Sequence, residues 1–273
     1  MIGEFVNIFS YDFMRNALIV GLLVSVCASL LGVTLVLKRY SMIGDGLSHV
    51  GFGALSIALA TGAAPIYVAL PVVIISAFFL LSLKENNKIK GDAAIALIST
   101  SALAVGIIVN SLTKGSNVDI YNFMFGSILS VSKSDVYISS AMAVFVLILY
   151  FVLYNRIFAV TFDEGFSAAK GINTSFYEGM LTLLTAVTIV IGMRIMGTLL
   201  ISSLIIFPAL TSMQFFKKYK IVVISSGVVS AVAFLAGILL SYYFSLPAGA
   251  SIVLVNMVFF AVFYICGKVK SQT

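Results

Sequence analysis

The chain has 273 residues, of which 61% are apolar and 10% charged, with a mean hydropathy of +1.16. Soluble domains carry about a quarter charged residues, so the composition excludes an ordinary water-soluble enzyme and a disordered tail, and two cysteines are too few for a disulfide-stapled secreted scaffold. The net charge of +6, from 16 basic and 10 acidic residues, falls between apolar spans, which makes it a signal of membrane topology and argues against nucleic acid as a partner.

Nine apolar segments follow one another along the chain: 14–37, 42–62, 65–83, 92–112, 134–155, 173–193, 196–213, 221–243 and 249–267. At about 1.5 Å per residue each crosses a hydrocarbon core of roughly 30 Å, or most of it. The expected fold is therefore all-α, a polytopic transmembrane helical bundle of about nine spans. Eight spans with one re-entrant segment is the alternative. The first span follows Glu4 and Asp12 and ends in Lys38-Arg39, the pattern of a retained anchor and not of a cleaved signal peptide. Within it Gly21, Ser25 and Ser29 form a small-residue stripe suited to close helix contact. Residues 115–132 are more polar and read as a loop with a partial helix. Cys27 and Cys266, far apart and in or beside apolar spans, read as two buried free thiols.

With nine spans, twelve of the sixteen basic residues fall on one side: Lys38, Arg39, Lys84, Lys88, Lys90, Arg156, Lys170, Lys217, Lys218, Lys220, Lys268 and Lys270. Arg15, Lys114, Lys133 and Arg194 fall on the other. The positive-inside rule then puts the N-terminus outside and the C-terminus in the cytoplasm.

Nearly all ten acids sit at span ends; the exception is Asp45, close to the only histidine, His49. In a helix this i, i+4 pair shares one face, with Cβ atoms about 6 Å apart, and His49 lies roughly 15 Å past Arg39. A carboxylate and a neutral imidazole are ligands for zinc and its first-row neighbours, and Ser48 adds a hydroxyl nearby. Two donors under-coordinate a structural zinc site, yet a transported ion must also leave. The same pair can instead tie helices together or relay protons. Glycines at 44, 46, 51 and 53 weaken a helix and point to close backbone approach or local unwinding.

Between spans five and six, Asp163 and Glu164 suit the first turn of a short helix, and Gly171 can end it. Such a helix suits docking of a cytoplasmic partner, or contact with lipid headgroups alone. Pro208, inside span seven, removes a backbone donor and is a candidate kink for gating or packing. The chain has no P-loop, no HExxH and no second histidine, so ATP hydrolysis would need another subunit and an intramembrane enzyme has little support.

Six blocks carry a resemblance over nearly the whole length: Tyr11 to Leu18, Gly44 to Gly53, Val118 to Ser132, Thr161 to Ile172, Met196 to Ser212 and Leu246 to Leu254. Their order resembles the permease subunits of bacterial ABC importers for zinc, manganese or iron. The resemblance implies the type II importer fold and one permease domain over 1–273 that includes a coupling segment at 156–172. It also implies a homodimer on cytoplasmic ATP-binding subunits, fed by an extracytoplasmic metal-binding protein. ATP would be bound by the partner subunit, and no cofactor would be held permanently. Asp45 and His49 correspond to the family's metal pair; Asp163, Glu164, Phe166, Ala169 and Gly171 correspond to its coupling element, although Gly165 and Phe166 make that segment less charged than the family pattern. The blocks at Tyr11 to Leu18, Phe125 to Ser132 and Thr161 to Gly165 resemble the zinc branch more than the manganese branch, so the expected substrate is Zn2+ first, then Mn2+ or Fe2+. The rivals are a permease for a metal chelate or vitamin and a stand-alone secondary carrier.

Overall fold

Long apolar runs in a solvent without water must satisfy their own backbone, and a helix does so within one segment. In the computed structural model, which describes residues 12–85, 91–113, 126 and 133–272, the chain forms helices and, among those residues, no strand. They are α1 (Asp12–Leu37), α2 (Ile43–Thr61), α3 (Pro65–Glu85), α4 (Gly91–Leu112), α5 (Lys133–Phe162), α6 (Glu164–Ala169), α7 (Thr174–Met196), α8 (Thr198–Phe215), α9 (Tyr219–Phe244) and α10 (Ala248–Gln272). All but α6 are long and apolar enough to cross a membrane. The segment 115–132 lies outside the described residues except for Gly126.

Most boundaries fall within a turn of those read from the sequence. The exceptions are α10, which continues past 267 to Gln272, and α5, which passes through Arg156 to Phe162, so only residues 163–173 stand between α5 and α7. Arg156 suggested a span end because a charge marks an interface, but a helix need not stop where the hydrocarbon does.

Burial sorts the helices into layers. The most apolar windows of α1, α2 and α7 are 72% buried, whereas those of α3, α4, α5 and α10 are 22% buried and turn most of their surface outward. The inner helices meet through small residues. On α1 the stripe Gly21, Ser25, Ser29 packs on α9 in antiparallel register: the ring of Phe234 fills the space beside Gly21, Ser230 Oγ donates to the Ser25 carbonyl (2.9 Å), and Ser226 Oγ donates to the Ser29 carbonyl (3.2 Å). Without a hydrophobic drive between helices in lipid, such close packing and hydrogen bonding is what holds the seam. Gly32, further along α1, lies directly against the Ile205 carbonyl of α8.

Cys27 is buried and donates to the Ala143 carbonyl at 3.3 Å. Cys266, expected to be buried, is exposed near the end of α10; apolar composition places a residue in a span without saying which face it takes. Gly197 joins α7 to α8 at φ 87, and Gly126, itself at φ 77, packs its backbone against the Met196 carbonyl. A side chain at 126 would have no room, so this contact ties the connection between α4 and α5 to the α7–α8 joint.

Candidate metal site and coupling element

Helix α2 has the glycines of an unwound segment but is an unbroken helix from Ile43 to Thr61. Its glycines serve close approach on two faces. A Cβ on Gly53 would stand 2.7 Å from the Ala102 carbonyl oxygen of α4, and Gly46 on the same face meets Ile95. Gly44 meets Ile205 of α8, and Gly51 meets Met193 of α7 and Val73 of α3. Both pairs repeat at seven residues, the spacing that keeps a seam on one side of a helix. Four neighbouring helices are thereby drawn against α2, and 13 of its 19 residues are buried.

Asp45 and His49 lie on the strip these contacts leave open. Asp45 Oδ1 and His49 Nε2 are 3.7 Å apart, with the Asp45 side chain 46% exposed and that of His49 21%. The separation is too long for a direct hydrogen bond. It suits two ligands on one ion: with bonds of about 2.1 Å they would subtend roughly 120°. Asp45 stands in the first turn of α2 and His49 one turn further along, between the level of Gly44, which meets Ile205 about 15 Å from the end of α8, and that of Gly51. Ser48 does not join it. That residue is fully buried and its hydroxyl donates back to the Gly44 carbonyl at 2.6 Å. Among the described residues no cluster of three or more His, Cys, Asp or Glu side chains could hold a metal; the Asp45/His49 pair by itself presents a carboxylate oxygen and an imidazole nitrogen.

The predicted short helix is present as α6. Asp163 caps it, its carboxylate accepting from Phe166 N at 2.8 Å, and Glu164 occupies the first turn. The Gly171 and Ile172 N–H groups donate to the Ala168 and Ser167 carbonyls, with Gly171 at φ 77, a closure that favours glycine. Every residue from Asp163 to Lys170 is exposed except Ser167, and Lys170 lies 4.5 Å above the Phe166 ring. Glu164, Phe166 and Ala169 thus face away from the bundle while α6 packs on α5 and α7. Pro208 is buried within α8, which continues through it as a helix; it is not gathered with either group of residues.

One feature escaped the sequence reading. Lys38, at the end of α1, forms an ion pair with Glu178 of α7, and their side chains are only 8% and 7% exposed. In the sequence Lys38 reads as a topology residue and Glu178 as one of the acids at span ends. The available signal was that Glu178 lies a full turn inside an apolar span. Removing one partner of such a pair leaves an uncompensated charge, at a cost of about 3–5 kcal/mol.

A family model described as the ABC 3 transport family matches residues 10–267. The chain belongs to that family. It is 31% identical over 270 residues to the manganese import system permease protein ScaB of Streptococcus gordonii, covering 98% of this chain and 97% of the relative. The manganese transport system membrane protein MntC of Listeria monocytogenes is 29% identical over 263 residues, covering 96% and 94%. A solved structure titled PsaBC from Streptococcus pneumoniae in complex with Fab has a TM-score of 0.86 at 30% identity, over 97% of this chain and 95% of that one. This ABC 3 family member is thus a multi-pass membrane permease subunit of a metal ABC importer. It is not itself an enzyme, and ATP hydrolysis belongs to a separate subunit. The expectation of zinc first finds no support in these relatives, whose names specify manganese.

Proposed function

We propose that this chain forms, as a homodimer, the membrane pathway of an ATP-driven manganese importer, and that Asp45 and His49 are the ligands past which the ion moves. The observation that carries this reading is the half-exposed carboxylate on a spanning helix whose other faces are packed. A charge facing hydrocarbon costs several kcal/mol, so the open strip of α2 faces water or a second copy. Two copies about a two-fold axis would bring four donors together. The carboxylates offset loss of the ion's hydration, and the imidazoles favour first-row metals over magnesium and calcium. Manganese is supported by the names of the relatives and by the hard oxygen donor that the site contributes.

The remaining assignments complete the cycle. The basic end of the bundle is cytoplasmic, with the N-terminus outside. The chain is one permease domain. An extracytoplasmic metal-binding protein delivers the ion at the other end, and α6, exposed beside α5 and α7, docks on the ATP-binding subunit. Pro208, which cannot return an N–H to the Leu204 carbonyl, leaves α8 able to bend as the pathway alternates.

The test is uptake of radioactive manganese by proteoliposomes that contain the permease, its ATPase and the binding protein, with zinc as competitor. Asp45→Ala and His49→Ala should each lower uptake on the order of tenfold or more while the ATPase still co-purifies. Wild-type uptake by both variants removes the site assignment. Uptake of zinc in preference to manganese overturns the choice of metal.

A further inference from the structure

The buried Lys38–Glu178 pair joins the two parts of the molecule that transport must coordinate. Glu178 lies four residues into α7, immediately after the α6 corner, and Lys38 opens the turn that leads into α2, seven residues before Asp45. We propose that this pair is a permanent strut through which displacement of α6 reaches the Asp45/His49 helix, making Lys38 and Glu178 positioning residues for transport. The proposal rests on the reading of α6 as the docking element and of α2 as the metal helix.

Both ends of the strut are stiff. On one side Asn173 caps α7 by accepting from Phe176 N at 3.1 Å, and the α6 closure is hydrogen-bonded through Gly171 and Ile172. On the other, the turn from Lys38 to Met42 is bonded to both flanking helices: Tyr40 N donates to the Leu35 carbonyl (2.8 Å), Ile43 N to the Tyr40 carbonyl and Gly46 N to the Met42 carbonyl (both 3.0 Å). Arg39 takes the left-handed conformation, φ 62, that lets this turn close.

The surroundings explain why the pair should hold and not open at each cycle. It borders a cavity of about 20 Å³ walled by Tyr40, Leu80, Ile95 and Leu181. Both side chains are less than a tenth exposed, which leaves little water at hand to solvate two separated charges. Parting them would therefore be costly at every turnover, whereas moving them together is not. The first turns of α7 and the α1–α2 turn then travel as one body.

The experiment measures manganese moved per ATP hydrolysed by the permease reconstituted with its ATPase and binding protein. Lys38→Met and Glu178→Gln should each retain ATP hydrolysis within about twofold while moving on the order of tenfold fewer ions per ATP. The exchange Lys38→Glu/Glu178→Lys and the apolar pair Lys38→Met/Glu178→Leu should both restore the ratio, the second because a strut needs contact and not charge. If the single variants fail to assemble, the two double variants decide: coupled transport supports the strut, uncoupled transport overturns it. Single variants with the wild-type ratio also overturn it, as does an apolar pair that assembles but stays uncoupled. Failure of the α6 reading is distinguishable, since Phe166→Ala would then leave the ratio unchanged.

Discussion

Replacing Gly53 by alanine tests whether α2 is held by backbone contact. The added Cβ would lie 2.7 Å from the Ala102 carbonyl oxygen, where ordinary contact begins near 3.4 Å, so α4 must retreat by about 0.7 Å. It cannot do so by rotating a side chain, because the obstructing atom is backbone and Gly106 of α4 is itself packed against the Gly53 Cα. Overpacking of this kind costs about 1–3 kcal/mol. Alanine also recovers about 1 kcal/mol of helix propensity, which a matched control removes from the comparison. Gly227→Ala on α9 is that control: its Cβ would meet Leu30 at 3.6 Å and Val26 at 4.0 Å, both side-chain atoms at ordinary distance. Gly53→Ala should therefore be less stable than Gly227→Ala by about 1–3 kcal/mol, or about 2–12 °C in midpoint for a chain of this size. The assay is thermal denaturation of the purified permease in detergent, read as loss of the monodisperse species. Because α2 carries Asp45 and His49, manganese uptake should fall in the same variant. Equal midpoints for the two variants would refute the close-packing argument.

Asp163→Ala should destabilise α6 by about 1 kcal/mol through loss of its cap, whereas Asp163→Asn should not, because asparagine caps equally well; ions moved per ATP, measured for both, separates cap from charge. Ser226→Ala and Ser230→Ala should each cost about 0.6 kcal/mol in chemical denaturation, the typical worth of a hydrogen bond between transmembrane helices. A larger loss in either would mean that the α1–α9 seam depends on them more than its Gly21–Phe234 contact implies. In the folded, detergent-solubilised protein an apolar thiol reagent should modify Cys266 and spare Cys27 until denaturation, since only the former is exposed; labelling of Cys27 at the same rate would contradict the burial of α1.

The parts of this molecule that were legible in the sequence are those governed by the solvent. Apolar length marks the spans because lipid leaves the backbone no partner but itself, and Asp45 and His49 stood out because ionisable groups are costly there. The α6 corner was readable from Asp163 and Gly171, whose cap and left-handed turn are local chemistry. What was not legible depends on which elements meet. Glycines 44, 46, 51 and 53 announced close approach, but their division between two faces needed α3, α4, α7 and α8 in place. Position alone makes Ser48 a hydroxyl near the pair, whereas its rotamer turns back to the Gly44 carbonyl. The Lys38–Glu178 pair spans 140 positions, and neither residue alone reveals the other. Cys266 shows the same limit, since apolar composition places it in a span without saying that its face of α10 is exposed.

The most direct measurement is anomalous X-ray scattering at the manganese edge from crystals of the permease–ATPase complex grown with manganese. The account predicts a peak between Asp45 Oδ1 and His49 Nε2, lost in His49→Ala crystals grown in the same way. Manganese bound within the spans at other residues, with the Asp45–His49 position empty, would contradict it.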